Sequence, residues 1–445
     1  PNTSPPPAAA TRTCSTSGSI SEASGFLGAC RLGCCLKGLP MTYDFSSVFR
    51  DDLPPPAQRF TGFPAFNFVG GHNAEEMVPV EAFRAAADAV LAREGETLGM
   101  YGLHSGPQGY GPLRRWLADK LKRYAAVDCG ADDILLTSGS LQAIDLINDV
   151  LLEPGDTVVV EADNYGGVFP RLARCGAKPA PVALDADGMC MDALEATLDD
   201  LAARGVKPKY IYTIPTVQNP TGTILPLERR RRMLELAKAH DVPVFEDECY
   251  ADLVWSGARP PALKALDDDG RVIHIGSFSK TIAPALRVGY IVAGWPILSR
   301  ILSVKTDAGS GALEQMVLAE FCQKHFDGHL QRLNERLEAK LDNLTGALDA
   351  FFGSSVSYTR PPGGIFLWVR MPDGVDTTRL AEVAGQAGIA VNPGAEWSLA
   401  GDAGRWIRIC FANPPEATTR AGIEALAKVC HEEFGVPEIS GNVRL

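Results

Sequence analysis

The sequence predicts an α/β protein, with a mostly parallel sheet carrying helices on both faces and a smaller α+β domain. Three observations carry this prediction. From about residue 80 onward, apolar strand-like runs alternate with helix-like periodic segments, the pattern of strands joined by crossover helices. Polar residues gather at the carboxyl ends of those runs, where open α/β sheets keep their functional groups. A chain of 445 residues with 46% hydrophobic content can also bury one large core and a smaller one.

Residues 1–40 are rich in Ser, Thr, Pro, Ala, Gly and Cys, lack a helix or strand period and hold one acidic residue, Glu22. They read as an unstructured leader. With so few basic residues, an added or mis-assigned start fits better than an organelle-targeting peptide. Cys30, Cys34 and Cys35 have no second pair at finger-like spacing and read as incidental. Residues 41–90 are expected to form an N-terminal segment joining the small domain, residues 91–325 the large domain and residues 326–445 the C-terminal small domain.

Along the large domain, DILLTSG reads as a strand entering the helix LQAIDLINDVLL. EPGDTVVVEADNY gives turn, strand and loop, and PKYIYTIPTVQNPTG a buried strand ending in a polar loop. ERRRRMLELAKAHD is a helix, and its arginines at 229–232 read as an exposed start beside Glu228. VPVFEDE, RVIHIGSFSK and RVGYIVAG supply three more strands. The segment 310–350 is helix-like and charged; His325 and His329 at i, i+4 lack a third metal ligand and read as a solvated face. YTRPPGGIFLWVRMP and RWIRICFANP supply the small domain's strands.

Composition narrows the function classes. The 54 acidic against 42 basic residues give a net charge of −12, which opposes non-specific attraction to nucleic acid or anionic membrane. No apolar run approaches the ~20 residues of a membrane-spanning helix. Eleven cysteines scattered through a long chain point to reduced thiols in the cytosol, not to a disulfide framework.

The chemistry centres on Lys280 in GSFSKTIAPALRVGY. A lysine after a buried strand can form a Schiff base with an aldehyde, while Ser277, Ser279 and Arg287 around it suit a phosphate. Taken alone, Lys280 reads more readily as an ordinary loop lysine. Asp247, following VPVF, is placed to keep a pyridine nitrogen protonated, and Tyr250 and Asn219 to bond a ring oxygen. Each has a bland counterpart: a helix cap, a packed aromatic, a turn residue before Pro220.

Four motifs in order, TSGSLQAIDL, NPTG (219–222), DECY (247–250) and SFSKTIAPALRVGY, resemble the class I and II aminotransferases of fold type I. The resemblance covers nearly everything after residue 60 and lies nearest the 2-aminoadipate, kynurenine and aromatic branch. It implies pyridoxal 5'-phosphate as cofactor, with Lys280 as the lysine that holds it and then serves as acid and base. It also implies that Asp247 pairs with the ring nitrogen, Asn219 and Tyr250 with the ring oxygen, and that Tyr165 stacks on the ring. Gly139, Ser140, Ser277, Ser279 and Arg287 are then the phosphate site, at a helix N-terminus suited to an anion. Leu141 departs from the pattern, which often has a polar residue there. Tyr101 matches the tyrosine that reaches the phosphate of the partner subunit, implying a homodimer with shared active sites; its motif is lengthened, so Tyr110 competes for the role. Arg408 resembles the arginine that binds the substrate α-carboxylate, and Gly70 and Gly71 the segment lying over the substrate, with Asn219 also at the substrate.

The resemblance implies transfer of an amino group between an α-amino acid of aminoadipate, aromatic or branched-chain type and a 2-oxo acid such as 2-oxoglutarate. A lyase or decarboxylase of the same fold remains open, because these residues set cofactor electronics and not which bond breaks. An effector domain of a transcription regulator needs a DNA-binding module, for which residues 1–40 are too short and too weakly basic.

Overall fold

The computed structural model describes residues 43–50, 53–57 and 59–437. The expected leader, with Cys30, Cys34 and Cys35, lies outside the described residues. The chain divides into two units, residues 1–61 and 62–445. In the first, the described part contains a short 3-10 turn at Ser46–Val48. All that follows concerns the second.

Its centre is a sheet of seven strands: β1 (Ile134–Thr137), β2 (Thr157–Glu161), β3 (Lys178–Val182), β4 (Ile211–Thr213), β5 (Val244–Asp247), β6 (Val272–Ser277) and β7 (Gly289–Val292). Their order across the sheet is β1-β7-β6-β5-β4-β2-β3. Strands β6, β5, β4, β2 and β3 pair in parallel, whereas β7 runs antiparallel to both β1 and β6.

Alternation along these strands forces helices onto both faces. Val159, Ile211, Val244 and Val272 point into a cluster with Leu194 and Leu198 of α5 (Met191–Ala203) and Met233 and Leu236 of α6 (Leu227–Ala239). Their neighbours Val158, Val160, Tyr212, Phe245 and Ile273 join the larger cluster with Leu117 of α2 (Gly111–Ala125), Ile147 of α3 (Ser140–Leu151) and Phe321 of α9 (Ala312–Phe351).

A second sheet is antiparallel: β8 (Ser357–Tyr358), β9 (Phe366–Arg370), β10 (Asn392–Pro393) and β11 (Trp406–Cys410), in the order β8-β9-β11-β10. Phe66–Asn67 pairs in parallel with Ile389–Ala390, so the N-terminal part of this unit is hydrogen-bonded to the C-terminal part. Helix α9 runs unbroken for 40 residues, through positions 325 and 326. Its buried Lys340 donates to the Pro414 carbonyl at 2.8 Å, tying the helix to the loop after β11.

Two sequence expectations need correction. Arg230 is not on an exposed face: it is fully buried, donating to the carbonyls of Leu225 (2.9 Å) and Pro215 (2.8 Å) and to Thr216 Oγ1 (2.7 Å). His329 is not solvated either; it is buried, with Nε2 donating to the Thr281 carbonyl at 2.7 Å, while His325 is exposed. Strand β3 was not legible because its run KPAPV holds two prolines; it lies at the sheet edge, where a missing N–H is tolerated.

Among the described residues no helix is long and apolar enough to cross a membrane, and no three His, Cys, Asp or Glu gather as a metal site. Leu341 of α9 is wholly buried in the larger cluster. Leu341→Ala should therefore cost about 2–5 kcal/mol, read as a lowered midpoint in denaturant unfolding.

Candidate active site

The carboxyl ends of β4, β5 and β6 deliver three polar groups to one place. Lys280 follows β6 by three residues and is half-buried. Its Nζ donates to the Gly71 carbonyl and lies 5.8 Å from the centre of the Tyr250 ring. Burial pushes its pKa down, and the guanidiniums of Arg408 and Arg287 push the same way. The main chain is pinned as well: Asn73 Nδ2 donates to the Lys280 carbonyl at 2.7 Å, and His329 holds the next carbonyl. Gly71 lies against the lysine: a Cβ there would sit 3.2 Å from Lys280 Nζ, a tight contact.

Asp247 ends β5 and is buried. Oδ2 accepts from Tyr212 Oη at 2.7 Å and Oδ1 from the Cys249 N–H at 3.0 Å. Burial raises its pKa despite these bonds, and among the described residues no Lys or Arg pairs with it. Tyr250, also buried, accepts at Oη from Asn219 Nδ2 at 3.2 Å.

Arg408 of β11 reaches the same place from the second sheet. Nη1 donates to Asn219 Oδ1 at 3.2 Å, and Nη2 to Asn392 Oδ1 at 2.8 Å and the Val69 carbonyl at 3.2 Å. Its guanidinium carbon lies 3.4 Å from the ring centre of Trp397 and 3.8 Å from that of Phe366, a sandwich that fixes its plane. Burial lowers its pKa to about 10, and Nε, buried, has no partner. Trp397 also packs against Tyr165, with ring centres 5.9 Å apart.

The expected phosphate residues surround the start of α3. Gly139 caps the helix at φ 84°, a left-handed conformation, and a Cβ there would collide with the Arg287 guanidinium. Exposed Arg287 donates to the carbonyls of Ser138 (3.1 Å) and Pro284 (3.2 Å). Ser140 is the first residue of the helix, and Ser277 Oγ accepts from the Ser279 N–H at 3.0 Å. Leu141 packs against the core. Of the residues singled out from sequence, Tyr101 stands apart: it is 88% exposed and lines a cleft of about 760 Å³ with Met100, Tyr110 and Gln315. Tyr110 is 3% exposed, and its hydroxyl is committed to Glu94 at 2.7 Å.

With this geometry in view, comparison with known proteins is decisive. The family model for aminotransferase class I and II matches residues 71–426. The chain belongs to the class I and II aminotransferases. The aromatic-amino-acid aminotransferase 1 of Thermococcus litoralis is 35% identical over 83% of this chain and 88% of its own length. The 2-aminoadipate transaminase of Thermus thermophilus is 32% identical over 81% of this chain and 89% of its own. A solved multiple substrate aminotransferase from Thermococcus profundus superposes with a TM-score of 0.82 at 31% identity, covering 88% of this chain and 100% of that one. The fold is therefore the fold type I of these aminotransferases, and the reaction is pyridoxal-phosphate-dependent amino-group transfer.

The residues fit that cofactor. A buried carboxyl without a cation suits a protonated ring nitrogen, and a helix N-terminus beside an arginine suits a phosphate. Sequence reading missed Trp397, Phe366 and Asn392 around Arg408; only their contacts across strands identify them.

One buried acid lies behind Asn219. Glu161, at the end of β2, accepts from Thr213 Oγ1 (2.6 Å) and Gln218 Nε2 (3.0 Å), and Gln218 in turn accepts from both the N–H and the hydroxyl of Thr221. Burial raises the Glu161 pKa from 4.5 to about 7. The folded protein thus holds a proton that the unfolded chain releases near pH 4.5, so this group's stabilising share falls as pH rises from about 4.5 to 7. The full loss is on the order of 3 kcal/mol. Glu161→Gln should flatten the stability difference between pH 5 and pH 8, measured by denaturant midpoints at each pH.

Proposed function

We propose that Lys280 bonds the cofactor and moves the substrate's α-proton, that Asp247 holds the ring nitrogen's proton, and that Asn219 and Tyr250 bond the ring oxygen. The observation that carries this reading is the convergence of Lys280, Tyr250, Asn219 and Arg408 around the carboxyl ends of β4, β5 and β6. Gly139, Ser140, Ser277, Ser279 and Arg287 bind the phosphate, and Tyr165 stacks on the ring. Arg408 binds the substrate α-carboxylate through the end of its guanidinium, whose Nη1 now donates to Asn219 and Nη2 to Asn392. Gly71 lies over the substrate.

Bound there, pyridoxal phosphate supplies the aldehyde that takes up the amino group and a ring that draws electrons from the α-carbon. The protein's part is proton control and exclusion of water. Burial lowers the pKa of Lys280, so Nζ can be neutral when it must accept a proton and regain charge when it gives one back. Lys280→Ala should leave no cofactor covalently attached after borohydride reduction, read by mass spectrometry, and lower turnover by at least about a thousandfold. Near-normal turnover would refute the assignment.

The donors we propose are α-amino acids of aminoadipate, aromatic or branched-chain type, with 2-oxoglutarate as an amino acceptor. The names of the relatives and the aromatic walls from Trp397, Phe366 and Tyr165 support this. An absorbance-monitored screen of single amino acids reads the substrate directly: the favoured ones convert the cofactor to its amine form without an acceptor.

We further propose a homodimer in which Tyr101 reaches the partner's phosphate. Its exposure, with Leu98 and Met100 exposed along the same cleft, supports a second copy there. Light scattering should give twice the chain mass, and Tyr101→Phe should weaken cofactor retention without changing that mass. The large and small domains are proposed at 91–325 and 326–445, with residues 41–90 joining the latter. The seven described cysteines are free, in keeping with a cytosolic location.

A further inference from the structure

Five charged side chains that the chemistry above leaves unused meet in the interior beside Tyr250. Glu248 and Arg230 have side chains 1% and 0% exposed, and Arg259, Asp252 and Lys120 are nearly as enclosed. Arg259 is the bridge. Its Nη2 donates to Glu248 Oε2 at 2.7 Å and its Nη1 to Asp252 Oδ1 at 3.0 Å. Lys120 of α2 holds the other Asp252 oxygen at 2.6 Å. Arg230 of α6 lies 3.5 Å from Glu248 Oε1, which also accepts from Thr216 Oγ1 at 2.6 Å.

Stability is a weak reason for such a cluster, because replacing buried ion pairs by apolar groups is often neutral or favourable. Its place in the chain supplies a better one. Glu248 and Asp252 stand two residues either side of Tyr250, and Thr216 three residues before Asn219. The network therefore grips both segments whose tips meet in the 3.2 Å bond between Asn219 Nδ2 and Tyr250 Oη. A planar fork donates to both carboxylates in fixed directions from two nitrogens, a geometry that a single ammonium does not reproduce.

We propose that Arg259 is a positioning residue that sets Tyr250 Oη against Asn219, with Arg230 and Lys120 steadying the two carboxylates it bridges. This rests on the reading of Tyr250 and Asn219 as partners of the cofactor's ring oxygen. A hydrogen bond donated to that oxygen stabilises its anionic form, so losing or misplacing the donor moves the pH midpoint of the bound cofactor's absorbance upward. A purely structural role would lower the active fraction and leave the midpoint alone.

The experiment is a pH titration of cofactor absorbance in the holoenzyme for the parent, Tyr250→Phe, Arg259→Met, Arg259→Lys and the double variant Arg259→Met/Tyr250→Phe. Tyr250→Phe is expected to raise the midpoint by about one unit and Arg259→Met by about half a unit, with kcat down roughly tenfold and KM within about twofold. In the double variant the Arg259 shift should shrink, because the group it positions is gone. An Arg259→Met midpoint equal to the parent's, while Tyr250→Phe shifts, overturns the positioning role and leaves the site reading intact. No shift in Tyr250→Phe overturns both. Should Arg259→Met fail to fold, Arg259→Lys decides: a raised midpoint supports the role, and the parent's midpoint overturns it.

Discussion

Burying Asp247 at the end of β5 without a cation is the constraint on which the rest of the site depends. An unpaired buried carboxylate costs several kcal/mol even after relaxation, so the fold must either leave it protonated or provide a partner. Tyr212 and the Cys249 N–H each bond one oxygen and do not neutralise the charge. In the role we propose for Asp247, that cost is relieved by a ring that brings its own positive nitrogen. Holding the carboxylate in place beforehand means that little reorganisation is needed when that ring binds.

The same logic extends to the cations. Half-buried Lys280 and buried Arg408 lie among groups that orient them without cancelling them: carbonyls, amide oxygens and aromatic faces. The free protein therefore holds an acid whose pKa is raised and a lysine and an arginine whose pKa values are lowered. Each shift shrinks when an oppositely charged ligand group arrives. Ligand binding relieves electrostatic cost as well as adding contacts, and the bound protein is correspondingly harder to unfold.

What the sequence made legible follows from how local each signal is. Lys280, Asp247 and Asn219 come at strand ends inside short motifs, where an apolar run followed by a polar residue fixes both depth and position. Tyr101 and Tyr110 share one local pattern, and only burial, 88% against 3% exposure, tells them apart. Arg230 and His329 misled because helical periodicity judges a residue by its neighbours on one face. Their true partners, Glu248 for one and Thr281 for the other, are supplied by other elements. Trp397 and Asn392 were invisible for the same reason: their meaning is the guanidinium of Arg408, which the fold brings between them and Phe366.

The hidden residues share one trait. Glu161, Arg230, Arg259 and His329 are polar side chains that hold loops whose tips carry the proposed site residues, and none lies in one of the four motifs that carry the family resemblance. A reaction fixes the identity of the groups that touch its atoms, so those groups recur in recognisable strings. Holding them in place within a fraction of an ångström can be done by any well-satisfied buried polar contact. That freedom makes the supporting groups unreadable from motifs, although in this chain they stand directly behind Asn219, Tyr250 and Lys280.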